Sequence, residues 1–195
     1  MNYRAFVIYG SPGSGKGTQG RVLGSIPGFY HLSTGDVFRS LDFRTEIART
    51  FMEYSSKGHL VPDELTFQVF TQHIEKMIAL GSYKPEVDHL ILDGIPRTAT
   101  QAILLRNYVV VQRFFLLDVV DKEKLVARLV KRALKENRAD DANEHIIRER
   151  FAVFDKETEE ILKHYPKEIM FRIDALQYPY EVLRDILMKI NTREE

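Results

Sequence analysis

Five short apolar runs along the chain predict strands that are buried on both faces. The clearest is a continuous run over 5–9 that Gly10 ends, and two others stop directly before Asp93 and Asp118. Longer segments with helical periodicity separate the runs. Strands that alternate with helices predict an α/β fold, a parallel sheet covered by helices on both faces. The predicted strands are 5–9, 29–32, 90–92, 113–117 and 168–173, and the main predicted helices are 63–80, 121–136 and 143–165.

Two segments interrupt this alternation. Segment 34–60 has helical residues but no predicted strand, and segment 133–141 is short, polar and charged. We expect both to project from the edge of the sheet at which ligands bind. Asp141 and Glu144 have the spacing of a capping box, and we interpret Asp141 as a helix cap with no further role.

Composition excludes several classes of protein. The 195 residues include 28 Lys and Arg and 28 Asp and Glu, so the formal net charge is zero. This balance argues against binding to nucleic acid or to an anionic membrane through the whole surface. There is no cysteine, which excludes a thiolate nucleophile and a Cys-ligated zinc site. No apolar run approaches the roughly 20 residues of a membrane span, and no signal peptide is evident, so we expect a cytoplasmic protein.

A glycine-rich loop over 10–18 follows the first predicted strand and precedes a helix. Glycines let backbone N–H groups converge on one point, the helix N-terminus adds a positive dipole, and Lys16 adds a full charge. This combination is typical of a site for nucleotide phosphates, and the strand and helix around it disfavour an incidental turn. The strict pattern G-x-x-x-x-G-K-[ST] is not met, because Gly17 takes the hydroxyl position and Thr18 follows it. We therefore do not expect a hydroxyl directly after the lysine to hold Mg²⁺.

Asp93 ends another buried strand, at the edge where ligands bind in open α/β sheets. An isolated aspartate there would be an ordinary start of a turn. Beside a phosphate loop, its carboxylate is placed to hold Mg²⁺ or the water bound to it.

These motifs together resemble the adenylate kinase family of nucleoside monophosphate kinases, in the order that the family has them. The resemblance implies a P-loop NTPase-like three-layer fold in a single domain over 1–195. It also implies a monophosphate-binding insertion over 33–61, hereafter the monophosphate segment, and a short lid over 131–141, hereafter the lid segment. A lid without cysteines implies the form that holds no zinc. The matching stretches are 10–19, 31–36 with Arg39, 58–63, 93–97 with Gln101, and Arg128, Arg132, 138–141 and Arg150.

The resemblance also assigns roles to individual residues. It implies a monomer that acts on ATP, AMP and ADP with Mg²⁺. Asp93 would meet the metal, through a bound water. The catalytic residues would be Lys16, Arg97, Arg132, Arg138 and Arg150. The ATP site would comprise Gly13, Ser14, Gly15, Lys16, Gly17, Thr18, Arg128, Arg132 and Gln177. The AMP site would comprise Thr34, Arg39, His59, Val61, Gly94, Arg97, Gln101, Arg138 and Arg150.

Phosphoryl transfer between two nucleotides brings several negative phosphates together. Arginine suits this reaction because its planar guanidinium binds phosphate oxygens bidentately and stays charged. Arg128 and Arg132 are four residues apart and share a helix face. The chain departs from the family at Ile95 and Asn137. One extra residue before Arg150 makes Arg148 an alternative for the last site arginine.

Two positions bear on which monophosphate accepts the phosphoryl group. Members of the family that act on AMP carry threonine and glutamine there, and this chain has Thr34 and Gln101. The amide of a glutamine can bond an adenine edge with donor and acceptor together. The expected reaction is ATP + AMP = 2 ADP, for adenine nucleotide homeostasis. The alternatives are a kinase for UMP, CMP or another monophosphate on the same scaffold, and a P-loop NTPase switch, for which we find no water-positioning residue. A scaffold without catalysis is disfavoured by the intact Lys16 and Asp93.

Overall fold

The computed structural model describes residues 2–136 and 138–190. Its strands and helices follow the predicted alternation. The strands are β1 (Tyr3–Gly10), β2 (Phe29–Ser33), β3 (His89–Asp93), β4 (Val109–Asp118) and β5 (Met170–Asp174). The helices are α1 (Lys16–Gly24), α2 (Thr34–Arg39), α3 (Glu46–Ser55), α4 (Asp63–Ala79), α5 (Ala99–Leu105), α6 (Lys122–Glu136), α7 (Glu144–Leu162) and α8 (Pro179–Ile190).

The five strands form one parallel sheet in the order β2-β3-β1-β4-β5, which confirms the predicted fold class. Strands β2 and β3 lie on one side of β1, and the chain then crosses from β3 to β4 on the other side of β1. Open α/β sheets bind ligands at such a change of direction. The register aligns the carboxyl ends of the strands there, with Ser33 opposite Asp93 and Gly10 opposite Leu117.

Side chains of β1 alternate between two apolar layers, as expected for a strand that is buried on both faces. Val7 and Tyr9 pack with Phe114 and with residues of α4, α5 and α7. Phe6 and Ile8 pack on the opposite face with residues of α1 and α8. Helices therefore cover both faces of the sheet and give three layers.

Several boundaries differ from the sequence prediction: β4 begins at Val109 instead of Arg113, and α7 ends at Leu162 instead of Tyr165. Glu168 and Ile169, predicted to begin the last strand, form a 3₁₀ turn over Lys167–Ile169, and β5 begins at Met170. Helix α7 is capped by Asn143, whose Oδ1 accepts from His145 N at 2.9 Å. The interpretation of Asp141 as the cap is therefore wrong. The amide of Asn143, two residues later, caps the helix, and the Asp141 carboxylate is therefore available for other partners.

None of the helices in 2–136 and 138–190 is both long and apolar enough to cross a membrane.

Helix α1 packs directly on β2, and glycines make this contact possible. A Cβ added at Gly20 would lie 2.2 Å from Nε2 of His31, and one added at Gly24 would lie 2.6 Å from Cβ of His31. Glycine otherwise weakens a helix interior relative to alanine. The close approach keeps the phosphate loop, at the start of α1, next to the end of β2.

Gly20→Ala is expected to destabilise the protein, because overpacking against the imidazole costs about 1–3 kcal/mol. In a His31→Ala background the same change should stabilise by about 0.5–1 kcal/mol, since only the helix propensity of alanine remains. Urea unfolding of the four proteins measures both values. Equal destabilisation by Gly20→Ala in both backgrounds would contradict the packing explanation.

Candidate active site

The phosphate loop lies between β1 and α1, at the carboxyl edge of the sheet. Gly13 and Gly15 have φ values of 80° and 99°, in the left-handed region that favours glycine. A Cβ at Gly13 would also lie 3.1 Å from Cγ of Leu129 on α6. The loop therefore needs glycine at 13 for conformation and for space.

Lys16 begins α1 and folds its amine back toward the loop. Its Nζ donates to the carbonyl oxygens of Gly10 at 2.7 Å and Ser11 at 3.1 Å. Removal from bulk water lowers the pKa of Lys16 to about 7, although the Asp93 carboxylate opposes this shift. The amine is bonded to two neutral carbonyl oxygens, so an anion bound at the phosphate loop would stabilise its charged form.

The Asp93 carboxylate faces the phosphate loop. It is 7% exposed, and its Oδ2 lies 3.9 Å from Nε2 of His31. Burial would raise the pKa of Asp93, but His31 and Lys16 outweigh it and hold the pKa below the usual range. A Cβ at Gly17 would lie 3.4 Å from Oδ2 of Asp93. The missing side chain at Gly17 therefore leaves open the space beside this carboxylate.

A cleft of about 510 Å³ opens between the phosphate loop, the monophosphate segment and the lid segment. Nearly all residues that the sequence assigned to a site line it. They are Gly13, Ser14, Gly15, Lys16, Gly17, Thr18, Arg39, His59, Val61, Asp93, Gly94, Arg97, Arg128, Arg132, Arg138, Arg150 and Gln177.

Thr34 and Gln101 are the assigned residues that do not line the cleft. Thr34 Oγ1 donates to Gly94 O at 2.9 Å. Gln101 is 1% exposed; its Oε1 accepts from Arg97 N at 2.7 Å and its Nε2 donates to Asp63 Oδ1 at 2.8 Å. Both side chains therefore fix the Asp93–Arg97 loop from behind and present no free polar group to the cleft.

Asp141 joins the arginines of the lid segment. Its carboxylate is fully buried and meets Arg132 at 2.6 Å, Arg138 at 3.4 Å and Arg150 at 2.5 Å. These arginines come from α6, from the turn after it and from α7. A single buried acceptor therefore sets the relative positions of three guanidinium groups, a role that the sequence reasoning missed.

Asp140 adds a second carboxylate to this group. It meets Arg150 at 3.0 Å and Arg138 at 3.2 Å. Burial would raise the pKa of Asp140, but Arg150 and Arg138 lower it to about 2. Asp140 therefore remains an anion at any physiological pH. Two adjacent aspartates within a basic, polar segment were the available signal for this group.

The structure separates Arg148 from Arg150. Arg150 has a side chain 16% exposed and lines the cleft. Arg148 is 50% exposed and pairs with Glu123 and Glu144 on the outer surface of α6 and α7. Of the two alternatives left open by the sequence, only Arg150 faces the other arginines.

On the opposite side of the cleft, Arg39 and Arg97 come from the monophosphate segment and from the loop after β3. Arg39 donates to Asp36 Oδ1 at 2.5 Å, and Arg97 Nε donates to Gly94 O at 2.8 Å. Arg21 of α1 also reaches the cleft, 3.7 Å from Asp36 Oδ2. Sequence reasoning missed Arg21, because it belongs to no motif.

The walls beside the arginines are apolar. Tyr9 stacks on Phe154 with a centroid distance of 5.2 Å, and both line the cleft. Tyr9 also bonds Thr158 Oγ1 at 2.9 Å, and burial raises the pKa of Tyr9 to about 12. Its hydroxyl is thus a neutral structural group that joins β1 to α7. A cleft with cationic groups on apolar walls can hold several phosphates close together with little water.

Comparison with known proteins identifies a family whose name fits a cleft that holds nucleotide phosphates. A family model described as adenylate kinase matches residues 8–170. An adenylate kinase of Phocaeicola vulgatus is 38% identical over 167 residues, which cover 83% of this chain and 84% of that protein. One from Thermobifida fusca is 34% identical and covers 96% and 98%, and one from Bacteroides fragilis is 35% identical and covers 95% and 97%.

The matched region begins within β1 and ends at the start of β5, so it contains the phosphate loop, the monophosphate segment and the lid segment. It therefore includes every cleft arginine described above. The chain belongs to the adenylate kinase family.

Proposed function

We propose that the chain catalyses the reversible, Mg²⁺-dependent transfer of a phosphoryl group from ATP to AMP, which yields two ADP. One observation carries the proposal. Lys16 of the phosphate loop and arginines from opposite walls of the cleft face a common space. Transfer between two nucleotides gathers several phosphates in one place, and catalysis then depends on positioning and charge stabilisation.

ATP would bind with its phosphates on the loop from Gly13 to Thr18. The N–H groups at the start of α1 and the amine of Lys16 would hold the β- and γ-phosphates. Arg128 and Gln177 line the far end of the cleft, where the donor base would lie. Arg128 NH1 donates to Ala175 O at 3.0 Å, which places its guanidinium plane at that end.

Mg²⁺ would arrive with ATP. In the described part of the chain, no group of three or more His, Asp or Glu side chains is placed to hold a metal ion alone. Asp93 offers one buried carboxylate toward the phosphate loop, and Mg²⁺ commonly keeps its waters and binds few protein oxygens beside phosphates. Asp93 therefore fits a water-mediated ligand. When bound, the ion would neutralise charge on the β- and γ-phosphates.

AMP would bind between the monophosphate segment and the loop after β3. Arg39 and Arg97 would meet its phosphate, while Gly94, His59 and Val61 would enclose the nucleoside. Thr34 and Gln101 support this loop from behind. For Gln101 to contact adenine directly, its amide must first break its bond with Arg97 N or its bond with Asp63 Oδ1.

Arg132, Arg138 and Arg150 would stabilise the transferring phosphoryl group. Asp140 and Asp141 hold these arginines close together. We propose that the monophosphate and lid segments close over the two nucleotides and exclude water, which would otherwise accept the phosphoryl group. Gly58 of the monophosphate segment lies against α7, the helix that follows the lid segment, because a Cβ at Gly58 would lie 3.1 Å from Ile146 O.

The family also supports a coarse description of partners, namely adenine nucleotides as substrates. We propose in addition that the protein works as a monomer in the cytoplasm, without nucleic acid or membrane as a partner. The balanced charge of 28 basic and 28 acidic residues supports this proposal.

ADP formation from Mg-ATP is expected to depend on added AMP. The measurement is coupled ADP production with AMP, CMP, UMP or GMP, with Lys16→Ala as the inactive control. Faster turnover with CMP or UMP than with AMP would contradict the acceptor assignment. ATP loss without any acceptor would contradict kinase activity and indicate a hydrolase.

Replacing Arg132 or Arg138 by alanine should reduce kcat strongly, toward the range of about 10³–10⁵-fold that an arginine at a transition state supplies. Arg150→Ala should behave alike. Arg148→Ala is the matched control, because its exposed ion pairs contribute about 0–1 kcal/mol to stability and lie outside the cleft. Its kcat should stay within about twofold. A variant of Arg132 or Arg138 that keeps most of its turnover would refute the assignment.

Nucleotide binding should take up a proton at Lys16. With a pKa of about 7, the amine is mostly neutral at pH 8 before a nucleotide binds. Anionic phosphates raise this pKa, so the complex binds a proton that the free protein lacks. Calorimetric titration with Mg-ATP at pH 8, in buffers of different ionisation enthalpy, should show uptake approaching about one proton. Lys16→Arg, which does not titrate, should abolish it, and identical heats in all buffers for the parent protein would rule it out.

A further inference from the structure

Gln19 is a buried polar residue of the cleft for which the proposed reaction has no role. It lies one turn into α1, directly after the loop residues that would hold the phosphates. The side chain is 3% exposed, yet the residue lines the cleft. Its Nε2 donates to Pro179 O at 2.9 Å, a contact that spans 160 positions in the sequence.

Pro179 begins α8 and ends the segment 174–179, hereafter the base wall, which contributes Ala175, Gln177 and Pro179 to the far end of the cleft. Local bonds define the shape of the base wall. Gln177 Nε2 donates to Asp174 O at 3.0 Å and to Asp185 Oδ2 at 2.9 Å, and Tyr178 N donates to Glu181 Oε2 at 3.0 Å. These bonds tie the wall to β5 and α8, whereas the Gln19 bond ties it to the helix of the phosphate loop.

Stability alone does not account for a glutamine at this position. Among the described residues, Oε1 of Gln19 has no hydrogen-bond partner although the atom is buried. A buried polar atom without a partner carries a desolvation cost, which offsets much of the stabilisation from the bond to Pro179 O. A buried polar atom without a partner beside a binding site calls for an explanation in terms of the ligand.

We propose that Gln19 is a positioning residue for the donor nucleotide, which fixes the base wall relative to the phosphate loop. This inference rests on the proposed function only for the identity of the donor. ATP binds at two points, the phosphates on the loop and the base near Gln177. Arg128 NH1 also holds this wall through Ala175 O, and α8 packs on α1, but the bond from Gln19 to Pro179 O joins the wall directly to the first turn of the phosphate-loop helix. Without that bond, the wall is held less firmly relative to the seated phosphates, and part of the affinity from pre-organisation is lost.

The test compares ATP with inorganic tripolyphosphate, which has the phosphates but no base. Gln19→Met removes the amide and keeps the length of the side chain. Calorimetry should show ATP binding weakened by about threefold to tenfold, the usual contribution of one hydrogen bond. Tripolyphosphate binding should stay within about twofold, as should KM for AMP. The melting temperature should change little, because the lost bond to Pro179 O and the removed desolvation cost of Oε1 oppose each other.

Gln112→Met is the matched control, because it removes a half-buried amide early in β4, away from the cleft. It should leave both affinities unchanged. Equal weakening of ATP and tripolyphosphate in Gln19→Met would overturn the inference and show a local effect on the phosphate loop. Unchanged ATP affinity would overturn it as well. Both ligands bind without AMP, so absent AMP-dependent turnover in the parent protein would refute the proposed function alone.

Discussion

Repulsion between like charges is the constraint on which the site depends. Lys16, Arg39, Arg97, Arg132, Arg138 and Arg150 face one cleft, and nucleotide phosphates would be their natural counter-ions. The carboxylates of Asp36, Asp93, Asp140 and Asp141 offset part of this charge. Burial adds to this constraint, because removal from bulk water lowers the pKa of Lys16 and the nearby arginines lower it further, while the Asp93 carboxylate opposes the shift. The ion pairs hold the cationic groups around one cleft, and groups that are fixed in place need less reorganisation to stabilise charge.

The sheet supplies the geometry that this constraint requires. Parallel pairing brings the ends of β1, β2 and β3 to one edge, so the phosphate loop, the monophosphate segment and Asp93 begin side by side. Small residues then allow close approach, at Gly20 against His31 and at Gly13 against Leu129. Capping side chains finish the arrangement, since Ser33 caps α2 and Thr98 caps α5 directly beside the cleft. Helices carry Lys16, Arg132 and Arg150, whereas Arg97 and Arg138 lie in short connections that side-chain bonds hold in place.

Much of this arrangement could be predicted from the sequence, because apolar runs and glycine motifs are local signals. The strands and the phosphate loop follow from such patterns, whereas the resemblance to the family assigned the lining arginines. Contacts between distant segments could not be predicted. Nothing in the local sequence shows that the Gln101 amide is occupied by Arg97 and Asp63, or that Gln19 reaches Pro179. Asp141 was misinterpreted for the same reason, since its spacing to Glu144 is that of a cap while its partners lie on three elements.

The sharing of Asp141 has a consequence for how this chain can vary over evolutionary time. A carboxylate offers only a few acceptor positions, and here three guanidinium groups use them. Loss of any one arginine releases a position that the other two will compete for, so the effects of substitutions at these sites will not add. The four residues form an epistatic unit that must change together or not at all. Substitutions on the outer surface of the lid segment should therefore be tolerated independently, whereas substitutions on its inner face depend on the buried Asp141 carboxylate.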